Sequence, residues 1–198
     1  LEGLSMRDPA LGQCIREVGP LGLAPRRAES TWSALLRAIV YQQITGKAAE
    51  TILGRVRDLA GGDEALTPAW VRAASDAALR AAGLSRSKLA AARDLAERCL
   101  AGAVPSMEAL RALDDESVVE ALTPVRGIGR WTVEMLLIFN LGRPDVLPLT
   151  DYGVKKGFQA LFGGRELPTA DALSRRGARW RPWRSVASWY LWRAAENT

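Results

Sequence analysis

The chain has 198 residues, 48% of them hydrophobic, and a formal net charge of +5 at neutral pH with no histidine. Its two cysteines, Cys14 and Cys99, are too few for a disulfide framework or a four-cysteine iron-sulfur cluster, and a zinc site is equally disfavoured. There is no apolar run of membrane-spanning length and no recognisable signal peptide, so we expect a soluble, cytoplasmic protein. The positive net charge favours a polyanionic partner, and a monomer is expected.

Helical patterns recur along the whole chain, and strand signals are nearly absent, which predicts an all-α fold. The first residues, 1–5, are predicted to be unstructured. Capping residues and proline mark several helix starts, at Ser30, Thr67 with Pro68, Ser106, and Pro182 in the first turn of the last helix. Alanine-rich helices are predicted at 71–82 and 86–101, each ended by a glycine.

A Gly-x-Gly turn, formed by Gly127 and Gly129, separates a predicted helix over 114–122 from another over 131–141. Two glycines leave the backbone amides and a helix N-terminus accessible to an anion, and a DNA phosphate is the natural ligand. A sodium or potassium ion held by turn carbonyls, at Thr123, Val125 and Ile128, could bridge protein and phosphate in the same way. The alternative is a tight helix-helix turn without a ligand.

Asp151 precedes an apparent helix over 152–162 and is expected to be its N-cap. The local amides and the helix dipole stabilise its charged form. A fixed carboxylate is also what glycosidic cleavage requires, because the sugar develops oxocarbenium character as the base departs. From sequence position alone, capping is the simpler interpretation.

Five segments in order resemble the helix-hairpin-helix DNA glycosylases with a Gly-Pro-Asp signature, and most closely the AlkA type that removes 3-methyladenine. They are residues 35–45, 83–89, the hairpin at about 115–141, 147–152 and 180–185. The resemblance implies one all-α domain over 1–198 with two helical lobes. One lobe would span about 30–122, and the other would combine the N-terminal segment with about 123–198. The N-terminal α/β region of the AlkA type is expected to be lacking.

The resemblance also implies roles for individual residues. Asp151 matches the catalytic aspartate. The base pocket maps onto Trp131, Met135, Tyr152 and Trp192. DNA contacts map onto the hairpin, at Arg126, Gly127, Gly129 and Arg130, and onto a wedge at Gln42 and Gln43 that enters the duplex when a base is flipped. Without the resemblance, Gln42 and Gln43 would be interpreted as an ordinary helix end. Trp131 and Trp192 would be expected in the core, where the other five tryptophans are still expected, namely Trp32, Trp70, Trp180, Trp183 and Trp189.

The predicted function is a monofunctional DNA glycosylase for 3-methyladenine and, in a wider range, 7-methylguanine. Relatives that also cleave the strand carry a lysine at the position of Trp131, where an amine would form a Schiff base. No organic cofactor is required. Two alternatives are a non-catalytic helix-hairpin-helix module that binds DNA, and a glycosylase for oxidised or deaminated bases.

Overall fold

A computed structural model of the protein describes residues 1–24 and 30–196. Within these ranges the regular structure consists of α-helices and one 3-10 helix, with no β-strand. This confirms the all-α class. None of the described helices has both the length and the apolar character needed to cross a bilayer.

The chain divides into two compact units. We call Arg27–Val133 the central unit, and Leu1–Arg26 with Glu134–Thr198 the terminal unit. The sequence placed this boundary near residue 122, whereas the structure groups 123–133 with the central unit. The backbone amide of Arg126 donates to a carboxylate oxygen of Asp94 at 2.7 Å, which ties the hairpin turn to the central unit.

The helices of the central unit pack around a long helix, Arg86–Leu100, which is α7. The unit's helices are α3 (Thr31–Tyr41), α4 (Gly46–Ala60), α5 (Pro68–Ala73), α6 (Asp76–Ala81), α7 (Arg86–Leu100), α8 (Met107–Ala112) and α9 (Asp115–Leu122), and α10 (Arg130–Phe139) begins in it. Helix α7 packs against α3, α5 and α6. Leu95 of α7 is fully buried, as are Leu35 and Ile39 of α3. The amphipathic period of α7 therefore fixes the middle of this unit.

The terminal unit packs helices from both ends of the chain. They are α1 (Glu2–Arg7), α2 (Pro9–Val18), α11 (Tyr152–Phe162), α12 (Ala170–Gly177), the 3-10 helix (Ala178–Trp180) and α13 (Arg184–Glu196). Its core includes Leu11, Val154, Trp180, Tyr190 and Leu191, none more than 2% exposed. Helix α11 packs closely against α13, and α2 contacts both of them.

Most helix starts follow from a single polar side chain. A Ser, Thr or Asp precedes the first turn and accepts a hydrogen bond from a backbone amide of that turn, at Asp8, Ser30, Thr45, Thr67, Ser75, Ser85, Ser106, Asp114, Asp151 and Thr169. These caps satisfy amides that have no partner inside the helix. The predicted starts at Ser30, Thr67 and Ser106 are confirmed.

Three predicted segments were wrong. Residues 1–5 are not unstructured, because they enter α1, where Leu4 is buried. The helix predicted at 71–82 is broken, because Ser75 caps a new helix and the Ala74 carbonyl accepts a hydrogen bond from Arg93 at 2.6 Å. Pro182 precedes the last helix, which begins at Arg184.

The tryptophans also divide differently from the prediction. Trp180 is fully buried, and Trp32 is 9% exposed, with its indole N–H donating to the Leu66 carbonyl. Trp183 was expected in the core but is 49% exposed. It lies in the turn between the 3-10 helix and α13, where its amide donates to the Trp180 carbonyl at 2.7 Å. That turn directs its side chain outward.

A buried carboxylate links the N-terminal helices to α12. Asp8 is fully buried and accepts two hydrogen bonds from Arg176, both at 2.9 Å, and one from the indole of Trp180 at 3.0 Å. The guanidinium of Arg176 lies 3.6 Å from the centre of the Phe162 ring. Burial raises the pKa of Asp8, but the hydrogen bonds from Arg176 and Trp180 outweigh it and leave the pKa below its ordinary value.

The Asp8→Asn variant should lower the free energy of unfolding at pH 7 by about 2 kcal/mol, because it leaves Arg176 without its charged partner. A carboxyl whose pKa is depressed by folding stabilises the protein above its unfolded pKa of about 3.9, and this contribution is lost as pH falls toward the folded pKa. Urea unfolding should therefore show a difference between the two proteins that is constant near neutral pH and shrinks below about pH 4.

The control is Glu116→Gln, which breaks the exposed ion pair with Arg130, where the Glu116 side chain is 68% exposed. An exposed pair contributes less than about 1 kcal/mol. If Asp8→Asn costs no more than this control at pH 7, the buried cluster does not stabilise the fold as described.

Candidate active site

Asp151 is a buried carboxylate at the start of α11. It is 7% exposed and is the N-cap of the helix. Its Oδ1 atom accepts the amide of Val154 at 2.7 Å and the indole N–H of Trp192 at 2.8 Å. Two donors on one oxygen fix the plane and direction of the carboxylate. Asp151 is therefore both the predicted cap and a rigidly oriented negative charge.

Trp192, on α13, is held on several sides. One face of its indole stacks on Phe139 of α10, with ring centres 5.6 Å apart and planes inclined by 21°. Its edge lies against Gly153, where an added Cβ would be 2.7 Å from the indole Cδ1. Any larger residue at 153 would displace the indole. The prediction that Trp192 lines a base pocket stays a prediction, and the structure shows that its indole N–H is bonded to Asp151.

The other predicted pocket residues are accessible to different degrees. Tyr152 is 64% exposed, Trp131 is 43% exposed, and Met135 is half-buried. Met135 lies one turn from Trp131 and one turn from Phe139 along α10, so these side chains share a helix face. Trp131 belongs to the central unit, whereas the other predicted pocket residues, Met135, Tyr152 and Trp192, belong to the terminal unit. Their assignment to one base pocket stays a prediction.

The hairpin turn joins α9 to α10 as the glycine pattern predicted. The amide of Val125 donates to the Leu122 carbonyl, and that of Ile128 donates to the Val125 carbonyl at 3.0 Å. Gly127 has a φ of +79°, a left-handed conformation that glycine adopts without strain. Gly127 and Gly129 are both exposed. The turn is thus closed by its own backbone and presented at the surface.

The two hairpin arginines have different surroundings. The side chain of Arg126 is exposed, and its backbone amide is bound to Asp94. Arg130 forms a two-point ion pair with Glu116, at 2.9 and 2.6 Å, and its hydrogen bond lowers the pKa of the Glu116 carboxyl. Arg126 is therefore the more direct candidate for a phosphate contact, whereas Arg130 would have to share Glu116.

The predicted cation site consists of backbone carbonyls. The Val125 carbonyl accepts the Ile128 amide, and a carbonyl oxygen has a second lone pair that a cation could use. Among the described residues no cluster of three or more His, Cys, Asp or Glu side chains could hold a metal ion. A monovalent ion on the carbonyls of Thr123, Val125 and Ile128 stays a proposal.

The two predicted wedge residues behave differently. Gln42 is half-buried, and its side-chain amide donates to the carbonyl of Gly127 at 2.8 Å. Gln43 is exposed, with a φ of +57°. A residue with a side chain seldom adopts this left-handed conformation unless its surroundings impose it. The structure therefore places Gln43 at the tip of the turn and Gln42 against the hairpin.

Sequence reasoning missed Gly153, Phe139 and Asp94. Phe139 repeats the spacing of Trp131 and Met135 along α10, so the helical period could have indicated it. Gly153 lies inside the first turn of a helix, where glycine is unfavourable, and this was a second available signal. Asp94 has a local partner, Arg98, four residues further along the same helix. Its contact with the Arg126 amide gave no local signal, because Arg126 is far along the chain.

Comparisons with known proteins agree on one family. The model of the HhH-GPD superfamily of base excision DNA repair proteins matches residues 36–182. DNA-3-methyladenine glycosylase 1 of Schizosaccharomyces pombe is 35% identical over 165 residues, which are 83% of this chain and 72% of that protein.

Two solved structures are similar over nearly the whole chain. The 3-methyladenine DNA glycosylase of Schizosaccharomyces pombe in complex with abasic DNA has a TM-score of 0.85 at 33% identity, covering 96% of this chain and 93% of that one. The crystal structure of a DNA-3-methyladenine glycosidase from Bacillus halodurans has a TM-score of 0.86 at 37% identity, covering 98% of this chain and 88% of that one.

The Gly153→Ala variant should push the Trp192 indole away from Asp151 and lower the free energy of unfolding by about 1 to 3 kcal/mol through overpacking. Urea unfolding measures the cost, and the NMR resonance of the Trp192 indole N–H reports the hydrogen bond. Gly54→Ala is the control, because Gly54 lies within α4 and an added Cβ there meets nothing within 4 Å. An unshifted indole resonance in Gly153→Ala would contradict the role given to Gly153.

Proposed function

Because the chain belongs to the HhH-GPD superfamily of base excision DNA repair proteins, we propose that it is a DNA glycosylase that hydrolyses the N-glycosidic bond of alkylated bases in duplex DNA. The observation that carries the proposal is the buried carboxylate of Asp151, oriented through Oδ1 by the Val154 amide and the Trp192 indole. The glycosylase named for 3-methyladenine in Schizosaccharomyces pombe supports this class of substrate.

Asp151 supplies negative charge where the reaction develops positive charge. As the bond between base and sugar lengthens, the deoxyribose gains oxocarbenium character, which a fixed carboxylate stabilises electrostatically. The cationic base leaves with the electrons of the broken bond and becomes neutral. Water forms the new bond to the anomeric carbon, and the proton that it loses passes to the solvent. The carboxylate needs no reorganisation during this step, because its two donors already fix its direction.

The substrate class follows from charge and ring chemistry. A base methylated at a ring nitrogen is cationic, which weakens its glycosidic bond and attracts it to electron-rich rings by roughly 1 to 2 kcal/mol per good contact. Trp131, Tyr152 and Trp192 supply such rings. Met135 adds a flexible, polarisable wall that adapts to different base shapes. We therefore expect 3-methyladenine as the principal substrate and 7-methylguanine within the range.

Access to the bond requires the damaged nucleotide to leave the duplex. Unstacking costs a few kcal/mol, which an inserted side chain partly offsets. Gln43 is suited to that insertion, since it is exposed at the tip of its turn. The glycines of the hairpin and Arg126 would contact the phosphate backbone, consistent with the basic character of the chain.

The expected product is an intact abasic site. Trp131 occupies the position at which a strand-cleaving relative would carry a lysine, so no amine is available there for a Schiff base. Hydrolysis needs only water, so the reaction is proposed to need no organic cofactor. The enzyme is also proposed to be a monomer. The structure of the Schizosaccharomyces pombe glycosylase holds abasic DNA, the kind of product that this reaction leaves.

The Asp151→Asn variant should lose at least about a hundredfold in the single-turnover rate of 3-methyladenine release, because the charge is removed while the geometry is kept. Asparagine caps a helix as well as aspartate, and its carbonyl can still accept from Trp192 and Val154. The assay uses methylated duplex DNA and chromatography of the freed bases. The DNA of the wild-type reaction should break only after alkali treatment.

The matched control is Asp114→Asn, which alters the N-cap of α9, where Asp114 accepts the Ser117 amide at 2.9 Å. Its rate should stay within about twofold of wild type. Wild-type protein that binds DNA but releases no methylated base would instead favour the non-catalytic module. Release of only oxidised or deaminated bases would favour a different lesion.

A further inference from the structure

The turn that follows α3 is attached to the hairpin by a side chain. The Nε2 atom of Gln42 donates to the carbonyl of Gly127 at 2.8 Å, across 85 residues of sequence. Gly127 is the left-handed glycine of the hairpin turn, so the bond joins the middle of one turn to the start of the other. Because this amide N–H is used within the protein, Gln42 has a structural partner where the sequence suggested a DNA contact.

Two side chains of helix α7 form hydrogen bonds to the segments that contain these turns, the end of α3 and the hairpin. At its first turn, the ammonium group of Lys88 donates to the Val40 carbonyl at 2.7 Å, near the end of α3. Burial lowers the pKa of this amine. Two turns further along α7, Asp94 accepts the amide of Arg126 from the hairpin. Lys88 thus serves as an internal anchor for the turn that carries Gln43.

The hairpin also fits closely against α7. A Cβ on Gly127 would lie 3.4 Å from the Cβ of Ala91, which lies between Lys88 and Asp94 on the same stripe of the helix. Both turns therefore rest on one helix face and are bonded to each other by Gln42. The distance between the two turns is fixed by the length of α7 between Lys88 and Asp94.

Gln43 lies in the turn that directly follows the two residues bonded to the hairpin and to α7, Gln42 and Val40. Its φ of +57° is unfavourable for a residue with a side chain, and such conformations persist where surrounding structure determines them. Gln42, which is bonded to the hairpin, lies one residue before Gln43. Val40, whose carbonyl is bonded to Lys88, lies three residues before it. The bonds at Gln42 and Val40 therefore hold the backbone on the N-terminal side of Gln43 relative to the hairpin and α7.

We propose that Gln42 is a positioning residue that makes hairpin binding and Gln43 insertion a single coupled event. This rests on the proposed function, in which Gln43 enters the duplex and the hairpin holds a phosphate. Gln42 acts through Gln43 and does not itself contact the reacting nucleotide. Without the Gln42 bond, the protein keeps its affinity for the backbone but inserts Gln43 less often.

The test replaces Gln42 with methionine, which has a similar length and no N–H. The probe is a duplex that carries 2-aminopurine beside an abasic analogue, so insertion is measured as fluorescence without any base release. Gln42→Met should reduce the fluorescence change severalfold and slow 3-methyladenine release from paired DNA by about tenfold. Affinity for undamaged duplex and the midpoint of thermal unfolding should stay close to wild type.

A substrate that needs no insertion distinguishes positioning from a general defect. When the 3-methyladenine lies opposite an abasic site, its unpairing cost is already reduced, so Gln42→Met should regain most of the wild-type rate. Equal losses on both substrates, or no loss on the paired one, would overturn the proposal. Wild-type protein that changes the fluorescence but releases no base would refute the glycosylase activity and leave the coupling intact.

Two further variants complete the design. Gln159→Met is the matched control, because Gln159 makes the same kind of bond to the Gly164 carbonyl, at 3.1 Å, in the terminal unit. It should leave insertion unchanged. Gln43→Ala should reproduce the loss seen in Gln42→Met, and the double variant should lose no more than either single one. Additive losses would show that Gln42 acts independently of Gln43 and would contradict the coupling.

Discussion

The direct contact between the backbones of α11 and α13 is the constraint on which the candidate active site depends. A Cβ on Gly157 would lie 1.8 Å from the Leu191 carbonyl oxygen, so no larger residue fits there. One turn earlier on α11, Gly153 leaves the space that the Trp192 indole fills. Two glycines on one helix face thus bring the start of α11 to α13, and the carboxylate of Asp151 meets an indole N–H as a result.

The central unit achieves its precision by different means. Val125 and Ile128 of the hairpin turn are buried, but Gly127, Gly129 and Gln43 are exposed. Side chains bonded to backbone groups add to the apolar burial there, through Lys88, Asp94 and Gln42. Such bonds are directional, and they fix a turn while leaving its outer surface accessible to a ligand. A DNA-binding surface requires this combination.

Membership in the HhH-GPD superfamily relates both arrangements, the oriented Asp151 carboxylate and the bonded turns, to base excision repair of DNA. The residue assigned to the chemistry lies in the terminal unit, and the residues assigned to the DNA strand lie in the central unit. In the proposed mechanism, the hydrogen bond from Trp192 orients the carboxylate of Asp151 whichever alkylated base is removed. The proposal assigns lesion choice to Trp131 and Tyr152, which are exposed, and to half-buried Met135.

The sequence by itself determined the features that arise within a few residues of one another. Thr67 and Ser106 start helices because their side chains cap the next turn, and Gly127 shapes the hairpin through its own backbone freedom. Asp151 was identified as a cap for the same local reason, and the family resemblance added its chemical role. Only the tertiary structure decided the partners that are distant in sequence. These are the hydrogen bonds between Trp192 and Asp151, between Gln42 and Gly127, and between Arg176 and Asp8. Each pair depends on how separate helices pack, which no local pattern encodes.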